Sequence, residues 1–586
     1  MIYTGVIWAT IGGILLIWAV IRRMMPPQSH RNPQALVEGE KRTVDTTTRI
    51  RHTLWSYTNR YLLPDSIRSI FGRTTRLQVL VLAILTGYLT IFSFVGIVYG
   101  IWITPVKNME GVYNTRSSLG PFSDRVGVLA YALTPLSVLL SNRESLLSVL
   151  TGIPYQNFNF MHRWLGYIIM VQSIVHTIGW TIIEVKLYQP QPQVAKKWIV
   201  QLYMIWGVVA MILLLILYAL TLPPVIRFTG YEFFRKSHYV LALVYMGACI
   251  GHWEGLQTFL LHYNFVDGTK RGFVAAHAAI TTFPDEKDGD VVRLDFEHPH
   301  DAWAVGQHFY LCFTESSIFQ SHPFTPLNAA VTVNGRTKHS YVFRAKGGET
   351  KKIAQIAAKK LAAAATASAT PSEDKEGVIT AASAPTMPVV LTGPYGDPIM
   401  RNITPEANIL CVAGGTGITY VLPALLSLTA NPASPRKLEL IWVVRHAKDV
   451  DWVKPELAAL EALDVTVRIF ATRDAASSSS DADRSSEGEA DEEKRAAGAV
   501  AVQKMRARGA AASVRSGGLG HPDLALLVRE FVQATVAART VVFASGPGGL
   551  MTDARAAVAA CNDGGKVWKG DERFNVDLIH DERMER

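Results

Sequence analysis

The stretch FMHRWLGYIIMVQSIVHTIGW, residues 160–180, carries His162 and His176 in an apolar run with no acid and, past Arg163, no base. A membrane-length segment normally excludes imidazole, because an ionisable side chain in hydrocarbon is costly and marks function by default. A second segment repeats the pattern. FFRKSHYVLALVYMGACIGHW, residues 233–253, carries His238 and His252, and in both segments the two histidines are fourteen residues apart. Fourteen residues is close to four helical turns, so both imidazoles of a segment share one face. They stand about 21 Å apart along the axis at about 1.5 Å per residue.

Up to about residue 260 the chain is dominated by apolar runs, and beyond 270 it reads as a soluble protein. A crossing helix needs about 20 residues, and the candidate spans are 2–21, 77–103, 126–140 (which is short and holds Pro135), 160–183, 198–222 and 233–253. The first has no basic leader or small-residue cleavage site, and Arg22 and Arg23 follow it, so it is expected to be an uncleaved anchor. Residues 22–76 hold eleven Lys and Arg, and 104–124 hold two. That asymmetry places 22–76 in the cytosol. The 160–183 and 233–253 segments then cross in the same direction. His162 can face His238 at the inner level, and His176 can face His252 at the outer level. Imidazole pairs on facing helices suit the axial positions of haem iron. The stagger excludes one four-ligand zinc site.

The net charge of +9 fits basic flanks of membrane segments and is not read as nucleic-acid binding. Cys249, Cys312, Cys411 and Cys561 form no CxxC pair, which argues against a zinc ribbon or a disulfide scaffold and for a reducing compartment. The runs AAHAAITTF, DVVRLDFEH, GQHFYLCF and HSYVFRAK, separated by turn residues, predict a small antiparallel barrel. Within it lies SHPFT. Phe324 beside Thr325 offers a ring to stack on a flavin and a hydroxyl for its N5 edge. From residue 388 apolar strands alternate with helices, which predicts a parallel sheet with ligands at the strand C-termini. Three Gly-rich turns follow strands in order: GPYG (Gly393, Pro394, Tyr395, Gly396), GGTGIT (Gly414, Gly415, Thr416, Gly417, Ile418) and SGPGG, which opens with Ser545, Gly546 and Pro547. Gly414, Gly415 and Gly417 let backbone amides approach a pyrophosphate at a helix N-terminus. Arg445 and Arg473 lie just beyond their strands, where a 2′-phosphate would favour NADPH over NADH.

With these motifs in place the chain resembles fungal ferric-chelate reductases, within the wider ferric reductase and NADPH oxidase superfamily. The matching stretches are NRESLLSVLTGIPYQNFNFMHRWLGY, both histidine pairs, SHPFT, GPYG, GGTGIT and SGPGG. The resemblance implies an α-helical transmembrane haem bundle, an antiparallel β-barrel FAD domain and an α/β nucleotide-binding domain like that of ferredoxin reductases. It implies two b-type haems, FAD and NADPH. Phe324 would stack on the flavin, Thr325 would contact its N5 edge, and His322, followed by Pro323, would open the motif where relatives carry another basic residue. Gly348 and Thr350 would lie near the FAD phosphates. Ser545 stands where many relatives have a Cys that helps place the nicotinamide, and many relatives end in an aromatic that covers the flavin, whereas this chain ends DERMER.

The implied activity is electron transfer from cytosolic NADPH to extracellular ferric or cupric chelates at the plasma membrane, in support of iron uptake. A vacuolar membrane is the alternative site, and the sequence leaves the oligomeric state open. Two other readings share these motifs: a superoxide-generating NADPH oxidase, and a haem-binding membrane protein that has lost electron transfer. In the oxidase branch the second histidine pair is usually one residue closer, and the equal spacing here leans towards metal reduction.

The expected domains are 1–76 (anchor and basic segment, lying partly on the membrane), 77–262 (haem domain), 270–386 (flavin barrel) and 387–586 (nucleotide domain). Residues 351–386 and 474–518 read as flexible insertions. One count does not close. The sixth span ends outside, and LQTFLL (256–261) is too short to return across a core about 30 Å thick. A seventh span is therefore expected to be missing.

Overall fold

The structure is a computed structural model. It describes residues 2–24, 46–142, 146–153, 155–252, 275–299, 302–317, 320–369, 385–401, 403–429, 436–461, 463, 465–473, 503–505, 521–535 and 538–582. The chain divides into two compact units, 1–25 with 78–265, and 26–77 with 266–586.

The first unit is helical. Its long helices are α1 (Ile2–Met24), then, after α2 (Thr46–Leu62) of the second unit, α3 (Arg76–Phe94), α4 (Leu119–Ser141), α5 (Tyr155–Ile182), α6 (Leu202–Thr221) and α7 (Tyr231–His252). Among the described residues five helices are long and apolar enough to cross a membrane; these are α1, α3, α4, α5 with its continuation to Leu187, and α6. The 22-residue α7 is less apolar because Glu232, Arg235 and Lys236 fall in its first two turns. Leu129 and Leu133 of α4 and Leu165 of α5 are fully buried, with Ile7, Leu89 and Leu214 around them. These are the branched apolar side chains that fill a bundle core.

Two spans differ from the sequence expectation. The helix expected over 77–103 stops at Phe94, and Gly96 takes a positive φ. The β-branched and aromatic run that follows forms β1 (Ile101–Pro105), antiparallel to β2 (Tyr113–Ser117). Helix α4 begins at Leu119, upstream of the expected 126, and continues through Pro135. Next to that proline, Thr134 Oγ1 donates to Ala130 O at 3.0 Å. Residues 253–274, on which the missing span rests, lie outside the described residues.

The second unit holds two sheets. The flavin-side sheet is antiparallel and built from β3 (Ala275–Phe283), β4 (Val291–His298), β5 (His308–Phe313), β6 (Ser321–Phe324), β7 (Thr332–Val333), β8 (Arg336–Arg344) and β9 (Thr386–Tyr395). Its order is β6-β5-β9-β3-β4-β8-β7. No ladder joins β6 to β7 among the described residues, so the expected barrel is a half-barrel whose gap is spanned by the segment carrying Leu327 N→Ser340 O. After β8 comes α8 (Gly348–Ala369), where the sequence reading expects a flexible stretch from 351. Its alanine-rich composition favours helix, and Ile353, Ala354 and Ala357 bury one face against the sheet.

The other sheet is β10 (Asn408–Gly414), β11 (Leu438–Val444), β12 (Thr466–Ala471), β13 (Gln503–Met505), β14 (Thr540–Gly546) and β15 (Val576–Glu582), ordered β13-β12-β11-β10-β14-β15. All its pairings are parallel except β12 with β13. Helices α9 (Ile418–Thr429), α10 (Leu524–Gln533), α11 (Gly548–Cys561) and α12 (Gly564–Trp568) accompany it. The central strands β10 and β14 are buried from end to end and β11 at every residue but Leu438, as expected of the middle of a sheet covered on both faces. The two sheets share a core, because Val291, Leu327 and Val342 join the cluster around Trp442, Ile409 and Phe543. Arg293 of β4 reinforces the joint, with Nη2 2.7 Å from Glu456 and Nη1 donating to Trp452 O at 3.0 Å.

The N-terminal half of the chain also contributes to this unit. Helix α2 has the amphipathic character expected of it, with Ile50, Leu54 and Tyr61 exposed. Its polar face docks beside β15: Ser56 donates to Phe574 O, Asn59 to Val576 O and Arg60 to Asn562 O, and His52 meets Glu572 at 3.1 Å. Beyond it, Asp65 accepts from Arg555 Nε at 2.9 Å and from Thr552 at 2.7 Å, and Arg555 is fully buried. Removing one partner of a buried ion pair costs about 3–5 kcal/mol, because the other charge is left stranded. Asp65→Ala is therefore expected to destabilise the nucleotide-binding unit by about 3 kcal/mol, read as a lower thermal midpoint of the purified chain.

Candidate functional site

The bundle brings the four histidines into two pairs. His162 of α5 and His238 of α7 have ring centroids 6.3 Å apart, and His176 and His252 have theirs 6.4 Å apart. The rings of each pair are nearly perpendicular, at 83° and 82°. Two imidazoles each about 2 Å from a metal between them place their centroids about 6 Å apart, so both gaps fit a bis-imidazole centre. Three of the four Nδ1 atoms face main-chain carbonyls: His162 to Ser137 O at 2.9 Å, His176 to Ser123 O at 2.8 Å and His252 to Tyr203 O at 2.6 Å. A neutral imidazole that spends Nδ1–H on a carbonyl presents Nε2 as its ligand atom. His238 Nδ1 is buried with no hydrogen-bond partner among the described residues.

Two glycines make room for the outer pair. A Cβ on Gly127 would lie 2.4 Å from His176 Nδ1, and one on Gly207 would lie 2.7 Å from the His252 ring. The histidines are visible in the sequence. The carbonyls and glycines that seat them are on other helices and carry no sequence signal of their own.

On the flavin side, β5 brings two motifs to one end of the sheet. Phe309 registers with Phe324, and His308 registers with Tyr395. Phe324 is half-buried, its ring 4.8 Å from that of Phe343 and 6.3 Å from that of Phe313. His322 shares its strand face, two residues away. Gly393 takes φ +137, and a Cβ there would meet the Phe309 ring at 2.8 Å, so this turn requires glycine. Tyr395 lies 5.5 Å from Tyr310, ring to ring. Gly348 and Thr350 open α8, whose first-turn amides suit an anion.

On the nucleotide side the Gly-rich turns after β10 and β14 pack together. A Cβ on Gly414 would meet Pro547 at 2.6 Å, and one on Gly417 would meet Ser545 O at 2.1 Å. Both glycines are therefore required by the packing of one turn on the other. Gly415 differs: it takes φ +53 and faces open space, so it is the glycine that leaves its backbone approachable. Thr416 and Ile418 flank Gly417 at the start of α9, and Trp442 Nε1 donates to Gly415 O at 3.0 Å. Ser545 is fully buried, and its Oγ has no hydrogen-bond partner among the described residues. Gly546 and Pro547 lead into α11. Arg445 and Arg473 stand at the ends of β11 and β12, and Arg473 N donates to Arg445 O at 2.9 Å. Both side chains reach one carboxylate, Asp288 of the β3–β4 turn, at 2.8 and 2.6 Å. Sequence reasoning missed Asp288, because nothing in PDEKDGD separates it from the acids beside it.

Substitutions separate the two kinds of glycine. Gly417→Ala drives a methyl into backbone and is expected to cost more than about 3 kcal/mol of stability, read by thermal unfolding. Gly415→Ala adds a backbone cost of about 1–2 kcal/mol. It is expected to weaken binding of a nicotinamide dinucleotide, read by quenching of protein fluorescence, far more than it lowers the midpoint.

Residues 126–249 match the family model described as a ferric reductase like transmembrane component. Residues 275–399 match an FAD-binding domain, and 406–559 match a ferric reductase NAD binding domain. Curated relatives include ferric reductase transmembrane component 6 of Saccharomyces cerevisiae, 24% identical over 60% of this chain and 48% of that protein. The probable cell surface ferric reductase kap2 of Aspergillus oryzae is 25% identical over 59% of this chain and 47% of its own length. Ferric/cupric reductase transmembrane component 2 of Saccharomyces cerevisiae is 27% identical over 61% and 47%. The chain thus spans about half the length of these relatives. With a ferric reductase like transmembrane component followed by an FAD-binding and a ferric reductase NAD binding domain, the chain belongs to the ferric reductase family.

Proposed function

We propose that the chain moves electrons from cytosolic NADPH across the membrane to ferric and cupric chelates outside, through FAD and two b-type haems. The observation that carries this reading is the pair of imidazole gaps, 6.3 and 6.4 Å wide, repeated along the same two helices. When bound, the nicotinamide and flavin supply hydride chemistry and the haems supply one-electron transfer.

The chain's own residues bind, orient and exclude water. His162 and His238 would hold the inner haem, and His176 and His252 the outer one. Carbonyls of Ser137, Ser123 and Tyr203 fix three of these rings. Phe324 offers a ring to the flavin and Thr325 a hydroxyl, with His322 and Pro323 before them, while Gly348, Thr350 and the Gly393–Gly396 turn would take the rest of FAD. Gly414, Gly415, Thr416, Gly417 and Ile418 would hold the NADPH pyrophosphate, Arg445 and Arg473 its 2′-phosphate, and Ser545, Gly546 and Pro547 would border the nicotinamide. No side chain has to act as nucleophile or general base.

A cytosolic nucleotide-binding sheet is supported by residues 46–76, which pack on that sheet and belong to the basic segment expected in the cytosol. The plasma membrane, with a role in iron uptake, is the proposed site.

Membranes containing the chain are expected to reduce a ferric chelate with NADPH, and superoxide dismutase should leave the rate unchanged. Suppression by the dismutase would assign the chain to superoxide production. Bound haem without NADPH-driven turnover would assign it to haem binding alone. His176→Ala and Gly207→Ala are expected to abolish chelate reduction while the inner haem still gives a reduced spectrum.

A further inference from the structure

The β3–β4 turn is a built feature. Asp285 N donates to Asp290 at 2.9 Å, Asp288 N donates to Asp285 at 3.1 Å, and Gly289 N donates to Asp285 O at 2.9 Å. Arg344 clamps Asp285 at 2.6 Å, and each side chain is only 10% exposed. Burial pushes the Asp285 carboxyl up, but the hydrogen bonds from Arg344 and the Asp288 N–H hold it below its ordinary value. Gly289 takes φ +87, and a Cβ there would meet Ala345 O at 2.4 Å. The turn therefore presents Asp288 in one place.

That place is between the two arginines. Arg445 Nη1 lies 2.8 Å from Asp288 Oδ1, and Arg473 Nη1 lies 2.6 Å from Oδ2. Arg473 donates to one oxygen and Arg445 faces the other as an ion pair without a hydrogen bond, so one carboxylate carries the charge between the two arginines where a phosphate would sit. The carboxylate is carried by the flavin-side sheet, while the arginines end two strands of the nucleotide-binding sheet.

We propose that Asp288 sets the nucleotide specificity of this arginine pair, an inference that rests on reading Arg445 and Arg473 as the 2′-phosphate site. The carboxylate is an internal competitor for a 2′-phosphate, which must displace it. An unphosphorylated ribose meets arginines that are already neutralised, beside an acceptor for its 2′-hydroxyl. The preference for NADPH is thereby held well below what two arginines alone would give.

The test uses the full-length purified chain and two probes, 2′,5′-ADP and 5′-ADP, with binding read by calorimetry. Asp288→Asn removes the charge and keeps the shape. It is expected to tighten 2′,5′-ADP by about tenfold, since like charges side by side are costly, and to change 5′-ADP by less than about twofold. Asp288→Ala is expected to behave in the same way, and the thermal midpoint of each variant establishes that it is folded. Unchanged or weaker 2′,5′-ADP binding in both folded variants, with weaker binding in Arg445→Ala/Arg473→Ala, overturns the role of Asp288 and leaves the arginine site standing. Unchanged 2′,5′-ADP binding in all three variants overturns both.

Discussion

A neutral imidazole in an apolar bundle presents one nitrogen to a ligand best when the other is satisfied, and at three of the four histidines this division organises the membrane unit. Carbonyls from α4 and from the start of α6 take the Nδ1 atoms of His162, His176 and His252. That requirement fixes the rotation of α5 and α7 and the packing partners of each. It also requires glycine at 127 and 207, where any side chain would occupy the space of a ring. The two matched gaps then follow from one spacing repeated on two helices.

In the second unit the governing constraint is that two sheets of different design share a core. Val291, Leu327 and Val342 of the flavin side lie in the same apolar cluster as the nucleotide-binding strands. The polar rim of this joint is a set of arginine–carboxylate pairs: Arg293 with Glu456, and Arg445 and Arg473 with Asp288. A shared apolar core leaves little freedom for one sheet to slide on the other, and hydride transfer between two bound cofactors needs such fixed geometry. The pairing of Asp65, just beyond α2, with Arg555 adds a further attachment, on the opposite flank of the nucleotide-binding sheet from β12.

Much of this is legible in the sequence because periodicity and turn chemistry are local. The spacing of His162, His176, His238 and His252 specifies faces of helices, and the three Gly-rich turns specify strand ends. What escaped is non-local. Asp65 and Arg555 are separated by most of the chain, and Asp288 lies far in sequence from the arginines it meets. Gly414 and Gly417 look like ligand-binding glycines, yet their immediate need is turn-on-turn packing, and only Gly415 faces open space. The helix over Gly348–Ala369 was masked by low-complexity composition, although alanine favours helix and Ile353 supplies an anchor. The strand pair after Phe94 was hidden because an apolar run long enough to span reads the same whether it stays helical or turns back as a hairpin.

The proposed activity requires electrons to pass from nucleotide to the membrane histidines. The most direct measurement is an anaerobic difference spectrum of membranes containing the chain, taken after NADPH and again after dithionite. NADPH alone is expected to raise a reduced haem α-band, with dithionite adding little. A band that appears only with dithionite would contradict the path, and no band with either reductant would contradict haem ligation by these histidines.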